Sequence, residues 1–243
     1  MTYDDPRLAV LYDMDNPDGP DHDFFRRFAD DLGAEDVVDL GCGTGLLTVT
    51  LVAPGRTVMG VDPAPAMLER AATRPGGTAV NWILGTSDVL TPLMADLIIM
   101  SGNVAMHIIG DNWHTTLAAI ARALRPHGRL VFEARNPAAR AWTSWNDPVA
   151  ERDTPVGVLR ESVTTEPPDE DGVVLMRCHN EFVATGDVLD VEQPLQFRDR
   201  AQIEADLAAA GLITLNVWSN WTGAPFGGTE EEPLMVFEAA LPG

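Results

Sequence analysis

Two aspartates end two short apolar runs, Asp39 in VVDLGCGTG and Asp62 in VMGVDP, and three glycines, Gly41, Gly43 and Gly45, separate them. A strand that runs into a glycine-rich turn and then a helix offers backbone N–H groups to a ligand at the carboxyl edge of a sheet. The dinucleotide-binding spacing G-x-G-x-x-G puts a third glycine where this chain has Leu46. An anionic pyrophosphate would be repelled by Asp39, whereas an ammonium group would be attracted to it. Asp62 sits where a carboxylate accepts both hydroxyls of a ribose, a feature shared with nicotinamide-binding proteins. Two carboxylates flanking glycines therefore fit a ligand that joins a ribose to an amino-acid tail, and S-adenosylmethionine is that ligand.

Other residues carry two readings each. Cys42 lies inside the glycine turn, where a cysteine between two glycines reads as small filler and not as a nucleophile. His107 is a packing residue or a catalytic base. Glu133 and Arg135 close a strand at the edge where active-site residues gather, or pair with each other. Trp142 and Trp145 pack an insert onto the main body or wall a pocket for an apolar or cationic substrate. Tyr3 and Tyr12, the latter followed by Asp13, belong to an N-terminal arm that is either mobile or a cover over the ligand. His114, His127 and the run Glu230, Glu231, Glu232 read as solvated surface.

These residues need positioning elements. Phe24, Phe25, Phe28 and Leu32 at helical spacing predict a helix that stops at Gly33. Strands are predicted over 37–40, 56–61, 78–84, 96–100 and 129–133, and helices over 46–52, 64–74 and 113–124, the last with Asp111 as its cap. That alternation predicts an α/β fold with a doubly wound, seven-stranded, mostly parallel Rossmann-like sheet. The alternation breaks after Pro137. Residues 155–198 read as three antiparallel strands divided by PPDEDG and TGD, an antiparallel β insert after the fifth strand. A helix over 199–210 and strands over 212–218 and 234–241 complete the sheet. The expected division is 1–137 with 199–243 as the ligand-binding body, and 138–198 as an inserted lid or substrate subdomain.

Composition narrows the chemistry. The 243 residues carry a formal net charge of -21, and all 16 basic residues are arginine. That balance disfavours nucleic acid, whose phosphates need a basic face. No apolar run approaches the ~20 residues of a membrane span. The N-terminus lacks the basic and apolar regions of a secretory signal, so a cytoplasmic location is expected. Two scattered cysteines, Cys42 and Cys178, predict neither a disulfide framework nor a metal site.

The segments VVDLGCGTG, VDPAPAMLERA, WILGTSDVL, DLIIMSGNVAMHI, LRPHGRLVFEARNP, RDRAQIEADLAAAGL and PLMVFEAAL, in that order, resemble the class I S-adenosylmethionine-dependent methyltransferases. The resemblance implies that Asp39, Gly41, Cys42 and Gly43 face the methionine end of the cofactor. It implies that Asp62 holds the ribose, with Pro63 and Met67 beside the adenine. Gly85, Thr86 and Ser87 fall where many members carry Gly-Asp-Ala, whose Asp meets the adenine amino group; here Thr86 takes the place of that Asp and Asp88 stands two residues later, and either one makes that contact. Gly102 and Asn103 would lie along the methionine chain, and His107 and Glu133 are the catalytic candidates, with Tyr12 a third. The implied reaction moves a methyl group to the oxygen or nitrogen of a small molecule and leaves S-adenosylhomocysteine. In the family, an insert at this place shapes specificity or joins subunits into a homodimer. A nicotinamide-dependent oxidoreductase, a non-catalytic binding module and a non-methylating use of the sulfonium are the alternatives.

Overall fold

The computed structural model describes residues 5–243; Tyr3 lies outside them. The chain opens with α1 (Pro6–Asp15) and α2 (Pro20–Leu32). The expected arm is thus a helix from Pro6 onward, capped by Asp5, whose carboxylate accepts from Arg7 N at 2.8 Å, with Pro6 fixing the first turn. The alternating part follows as β1 (Asp36–Leu40), β2 (Thr57–Asp62), α3 (Pro65–Thr73), β3 (Asn81–Leu84), β4 (Ala95–Met100), α4 (Val104–His107), α5 (Asp111–Ala123) and β5 (Leu124–Arg135). The helix expected over 46–52 is only a 3₁₀ turn, Thr48–Leu51. Three β-branched residues, Thr48, Val49 and Thr50, oppose an α-helix there, and Pro54 stops its extension. Asp111 is the first residue inside α5, and Gly110 is its cap.

The insert has four strands where three are expected: β6 (Asp147–Thr154), β7 (Gly157–Thr165), β8 (Val173–Phe182) and β9 (Asp187–Gln196). β6 escapes a sequence reading because it is an exposed edge strand, DPVAERDT, without an apolar alternation. The chain returns through α6 (Arg200–Ala209), β10 (Ile213–Trp218) and β11 (Leu234–Ala240). The main sheet has seven strands in the order β10-β11-β5-β4-β1-β2-β3, and β11 runs antiparallel to both of its neighbours. Side-chain alternation sends Val37, Ile99 and Val131 toward α2, and Val38, Ile98 and Leu130 toward the core under α5 and α6. Strand order reverses between β1 and β4, which is where open α/β sheets bind ligands.

Trp142 and Trp145 take the packing role, because their rings lie 4.8 and 5.7 Å from that of Phe197 where the insert rejoins the body. No helix among the described residues is long and apolar enough to cross a membrane.

Candidate functional site

The glycine turn is held by hydrogen bonds from the protein itself. Gly41 N and Cys42 N donate to Val61 O at 2.7 and 3.0 Å, and Gly43 N donates to Asp62 Oδ2 at 2.8 Å, so β2 holds the turn at three points. All three glycines have positive φ, but their surroundings differ. A Cβ on Gly41 would strike Val104 at 2.5 Å and one on Gly45 would strike Trp82 at 2.5 Å, so both are needed for packing. On Gly43 the nearest atom would be Tyr12 Cε1 at 3.8 Å, and on Gly102 it would be the Tyr12 hydroxyl at 3.5 Å. The space over Gly43 and Gly102 is therefore a cradle roofed by Tyr12.

The two acids lie on the strands that flank the turn, Asp39 on β1 and Asp62 on β2. Asp39 is fully buried; its Oδ2 accepts from Thr48 Oγ1 at 2.6 Å, while Oδ1 has no partner. Burial raises its pKa from the ordinary 3.8 to about 6. An enclosed, unpartnered carboxyl oxygen is costly unless a donor reaches it, which fits a ligand ammonium. Asp62 accepts Gly43 N through Oδ2 and Ala64 N through Oδ1, both at 2.8 Å. Each oxygen keeps a lone pair for a hydroxyl, and burial raises this pKa too. The residues present thus fit a cofactor that joins an ammonium group to a ribose.

The far wall is the turn after β4. Gly102 and Asn103 both have positive φ, 71° and 63°, a costly state for asparagine unless the surroundings fix it. Two residues on one face of β5 do so: Asn103 N donates to Glu133 Oε1, and Arg135 Nε donates to Asn103 Oδ1 at 2.9 Å. Glu133 and Arg135 share Asn103 and form no direct ion pair within 4.0 Å. Glu133 is buried, its Oε2 has no partner, and desolvation raises its pKa from 4.5 to about 7.

The remaining candidates are spread around this cradle. Cys42 Sγ lies 3.0 Å from where a Gly60 Cβ would sit, so its side chain faces β2, and burial pushes the thiol pKa well up. Pro63 is half-buried, and Met67 is enclosed with Ala9 of α1, so α1 covers the side assigned to adenine. Thr86 and Asp88 are joined, since Asp88 Oδ1 accepts both Thr86 N at 3.0 Å and its hydroxyl at 2.7 Å. Ser87 is buried against Thr116 at 3.0 Å. His107 ends α4 with its ring at the surface and no hydrogen bond among the described residues. Protein packed around it still disfavours the charged form and lowers its pKa below 6.5. No bond joins His107 to Glu133.

Asp13 fixes the roof. It accepts from Thr44 Oγ1 at 2.5 Å and pairs with Arg70 at 3.0 Å and Arg74 at 2.6 Å. Burial works against its ionisation, but these three donors outweigh it and its pKa is lowered. Arg70 and Arg74 went unnoticed in the sequence, although their four-residue spacing puts both on one side of a helix.

Residues 37–128 match the family described as a methyltransferase domain. Glycine N-methyltransferase of Mus musculus is 35% identical over 121 residues, covering 43% of this chain and 41% of that protein. The chain thus spans less than half the length of that relative. Among solved structures, the CcbJ methyltransferase of Streptomyces caelestis aligns with a TM-score of 0.79 at 21% identity, covering 100% of this chain and 99% of the other. The sugar N-methyltransferase KedS8 of Streptoalloteichus aligns with a TM-score of 0.71 at 20% identity, covering 95% and 91%.

Proposed function

We propose, on the premise that this chain carries the domain and fold of the class I S-adenosylmethionine-dependent methyltransferases, that it methylates an oxygen or nitrogen of a small molecule. The observation that carries this reading is the cradle at Gly43, with the unpartnered Asp39 Oδ1 and the carboxylate of Asp62 on the strands that flank the turn. When bound, S-adenosylmethionine supplies a methyl group already activated by a positive sulfur. The protein's work is then alignment and exclusion of water.

Asp62 accepts the ribose hydroxyls, and Asp39 Oδ1 accepts from the ammonium group. Pro63 and Met67 border the adenine, and Thr86 with Asp88 closes that end. Glu133 and Arg135 hold the Gly102–Asn103 turn along the methionine chain, which makes Glu133 a positioning residue and its buried carboxyl poorly placed to take an acceptor's proton. His107, neutral near pH 7 because its pKa is lowered, is the base for an acceptor that must lose a proton. Tyr12 roofs the transfer path.

Relatives named as glycine and sugar N-methyltransferases support a small-molecule acceptor. A net charge of -21 supports excluding nucleic acid, and two free thiols suit the cytoplasm. Residues 138–198 would form the acceptor-side subdomain on a cofactor-binding body of 1–137 and 199–243. The exposed edge of β6 offers a surface for a second copy, which light scattering would read as a doubled mass.

The test is calorimetric titration with S-adenosylhomocysteine and, in parallel, NADH. Micromolar binding of the first alone is expected. Preference for NADH would return the chain to the oxidoreductase reading. Binding without methylation across an acceptor screen read by mass spectrometry would leave a binding module.

A further inference from the structure

The insert sheet has two unlike faces. Its outer face is zipped by ion pairs, Arg160 with Glu151 and Glu181, Arg177 with Glu166 and Glu192, and His179 with Asp190. Its inner face turns toward α1. There Leu159 and Phe182 pack on Leu11, while Glu161 lies beside Asn180, and Cys178 beside Val191. Between this face and α1 lies a cavity of about 180 Å³. Tyr12 lines it and also roofs Gly43 and Gly102, so the cavity adjoins the methyl-donor cradle.

Its polar lining is rich in acceptors. Asp15 from α1 and Glu161 from β7 stand on either side of Arg152, each 2.7 Å from that guanidinium. The pair of acids exceeds the single cation by one charge. Asn180 spends its amide N–H groups on Leu189 O and Cys178 O, at 3.2 and 3.4 Å, and Gln193 spends one on Cys178 Sγ at 3.9 Å. Both donors of Asn180 and one of Gln193 are thus turned to the protein, and the carbonyl oxygens of the two amides accept no bond from the described residues. A wall of two carboxylates and two amide oxygens calls for a ligand that brings donors, namely hydroxyl and ammonium groups. It repels carboxylates, phosphates and phenolates. The volume is below the roughly 300–1,000 Å³ of sites for drug-sized ligands and suits a single substituted ring.

We propose that this cavity is the acceptor site, and that its acceptor is a compact, hydroxyl-rich amine of about monosaccharide size. Resting on the methyltransferase reading, this gives that reading a substrate class. Arg152 stands between Asp15 and Glu161, and a bound ammonium would share those carboxylates with it. The bound ammonium first gives one proton to solvent or to His107, and the resulting neutral amine forms the new N–C bond as the S–C bond breaks. The products are a methylated secondary ammonium and a neutral thioether.

Cys178, one of two free thiols, gives the test a local readout. In the parent protein saturated with S-adenosylhomocysteine, maleimide labelling of Cys178 is followed by peptide-level mass spectrometry, which reads it separately from Cys42. The probes are glucosamine, galactosamine and mannosamine, with glucose, galactose, mannose and glucuronate as uncharged and anionic counterparts. The expected result is at least fivefold slower labelling with an amino sugar than with its uncharged counterpart, no protection by glucuronate, and loss of that preference in Glu161→Gln. Protection that ignores charge, favours the anion or is absent for every amino sugar overturns the proposal. Failure of the parent to bind S-adenosylhomocysteine at all would instead sink the methyltransferase reading beneath it.

Discussion

Asp62 serves the turn and the ligand together, and that makes its replacement informative. In Asp62→Ala, Gly43 N–H and Ala64 N–H lose the oxygens that now lie 2.8 Å away. Each orphaned donor costs about 1–3 kcal/mol. The pair therefore lowers stability by about 2–6 kcal/mol, less whatever entering water restores. For a chain of this size each kcal/mol moves Tm by roughly 2–4 °C, so a fall on the order of 4–24 °C is expected. Two ribose hydroxyls also lose a charged acceptor, at about 1.5 kcal/mol or more apiece. The combined loss of about 3 kcal/mol corresponds to weaker S-adenosylhomocysteine binding by on the order of 100-fold. Asp62→Asn keeps one acceptor oxygen and should fall between parent and alanine on both scales. Calorimetric titration and thermal unfolding of all three proteins make the check. If Asp62→Ala unfolds earlier yet binds within threefold of the parent, Asp62 only shapes the turn, and the ribose assignment is wrong.

The other expectations share these assays. Gly43→Val should lose less stability than Gly45→Val, because beyond the strain of its positive φ its Cβ meets nothing nearer than Tyr12 at 3.8 Å, but it should lose S-adenosylhomocysteine binding at least 100-fold. Gly45→Val should instead lose stability, since its Cβ meets Trp82 at 2.5 Å; equal behaviour of the two would refute the division of roles. Asp39 and Glu133 bind protons more tightly when folded, with pKa values near 6 and 7 against ordinary values of 3.8 and 4.5. Their contribution to stability is thus fully present below about pH 4 and lost as pH rises through 7. Glu133→Gln should flatten the decline in Tm between pH 5 and 8, and an unchanged slope would refute the buried-acid assignment. A bound ammonium favours ionised Asp39, so binding should tighten from pH 5.5 to 7.5 with proton release, read by calorimetry in buffers of different ionisation enthalpy. Asp13→Ala, which frees α1 from Thr44, Arg70 and Arg74, should cost about 1–3 kcal/mol after discounting for partial exposure. It should also speed S-adenosylhomocysteine release severalfold in stopped flow; an unchanged release rate would show that α1 is no roof.

The sheet was legible because its signals are local. Short apolar runs, the glycine turn and closing acids at Asp39 and Asp62 each speak for themselves, and their alternation dictates a parallel sheet. The site was legible where one strand end supplies one ligand group. It was not legible where function arises from two distant segments meeting. Nothing in the sequence says that Glu133 and Arg135 converge on Asn103, and neither reading offered for that pair, site residues or a mutual ion pair, describes their sharing one asparagine. β6 was missed for a related reason, since an exposed edge strand has no buried face to leave an apolar alternation.

α1 shows most clearly why pattern failed where function is concentrated. A helix with one buried side carries an apolar stripe, but this one is buried on two sides against different partners. Ala9 packs with Ala64, Ala66 and Met67 of the cofactor side, while Leu8 and Leu11 pack on Leu159 and Phe182 of the insert. Asp13 is spent on the body and Asp15 on the insert. The resulting sequence, PRLAVLYDMD, has no single stripe and reads as an arm. Yet that double contact lets Tyr12 face the donor cradle and the acceptor cavity at once. A helix that lies over Gly43 must shift for a cofactor to enter beneath it. Because the acceptor cavity has α1 as one of its walls, a shift of α1 that admits the cofactor also opens that cavity, so binding should be ordered, cofactor first. Glucosamine should therefore protect Cys178 from maleimide only when S-adenosylhomocysteine is present, and equal protection without it would show that α1 closes independently of the cofactor.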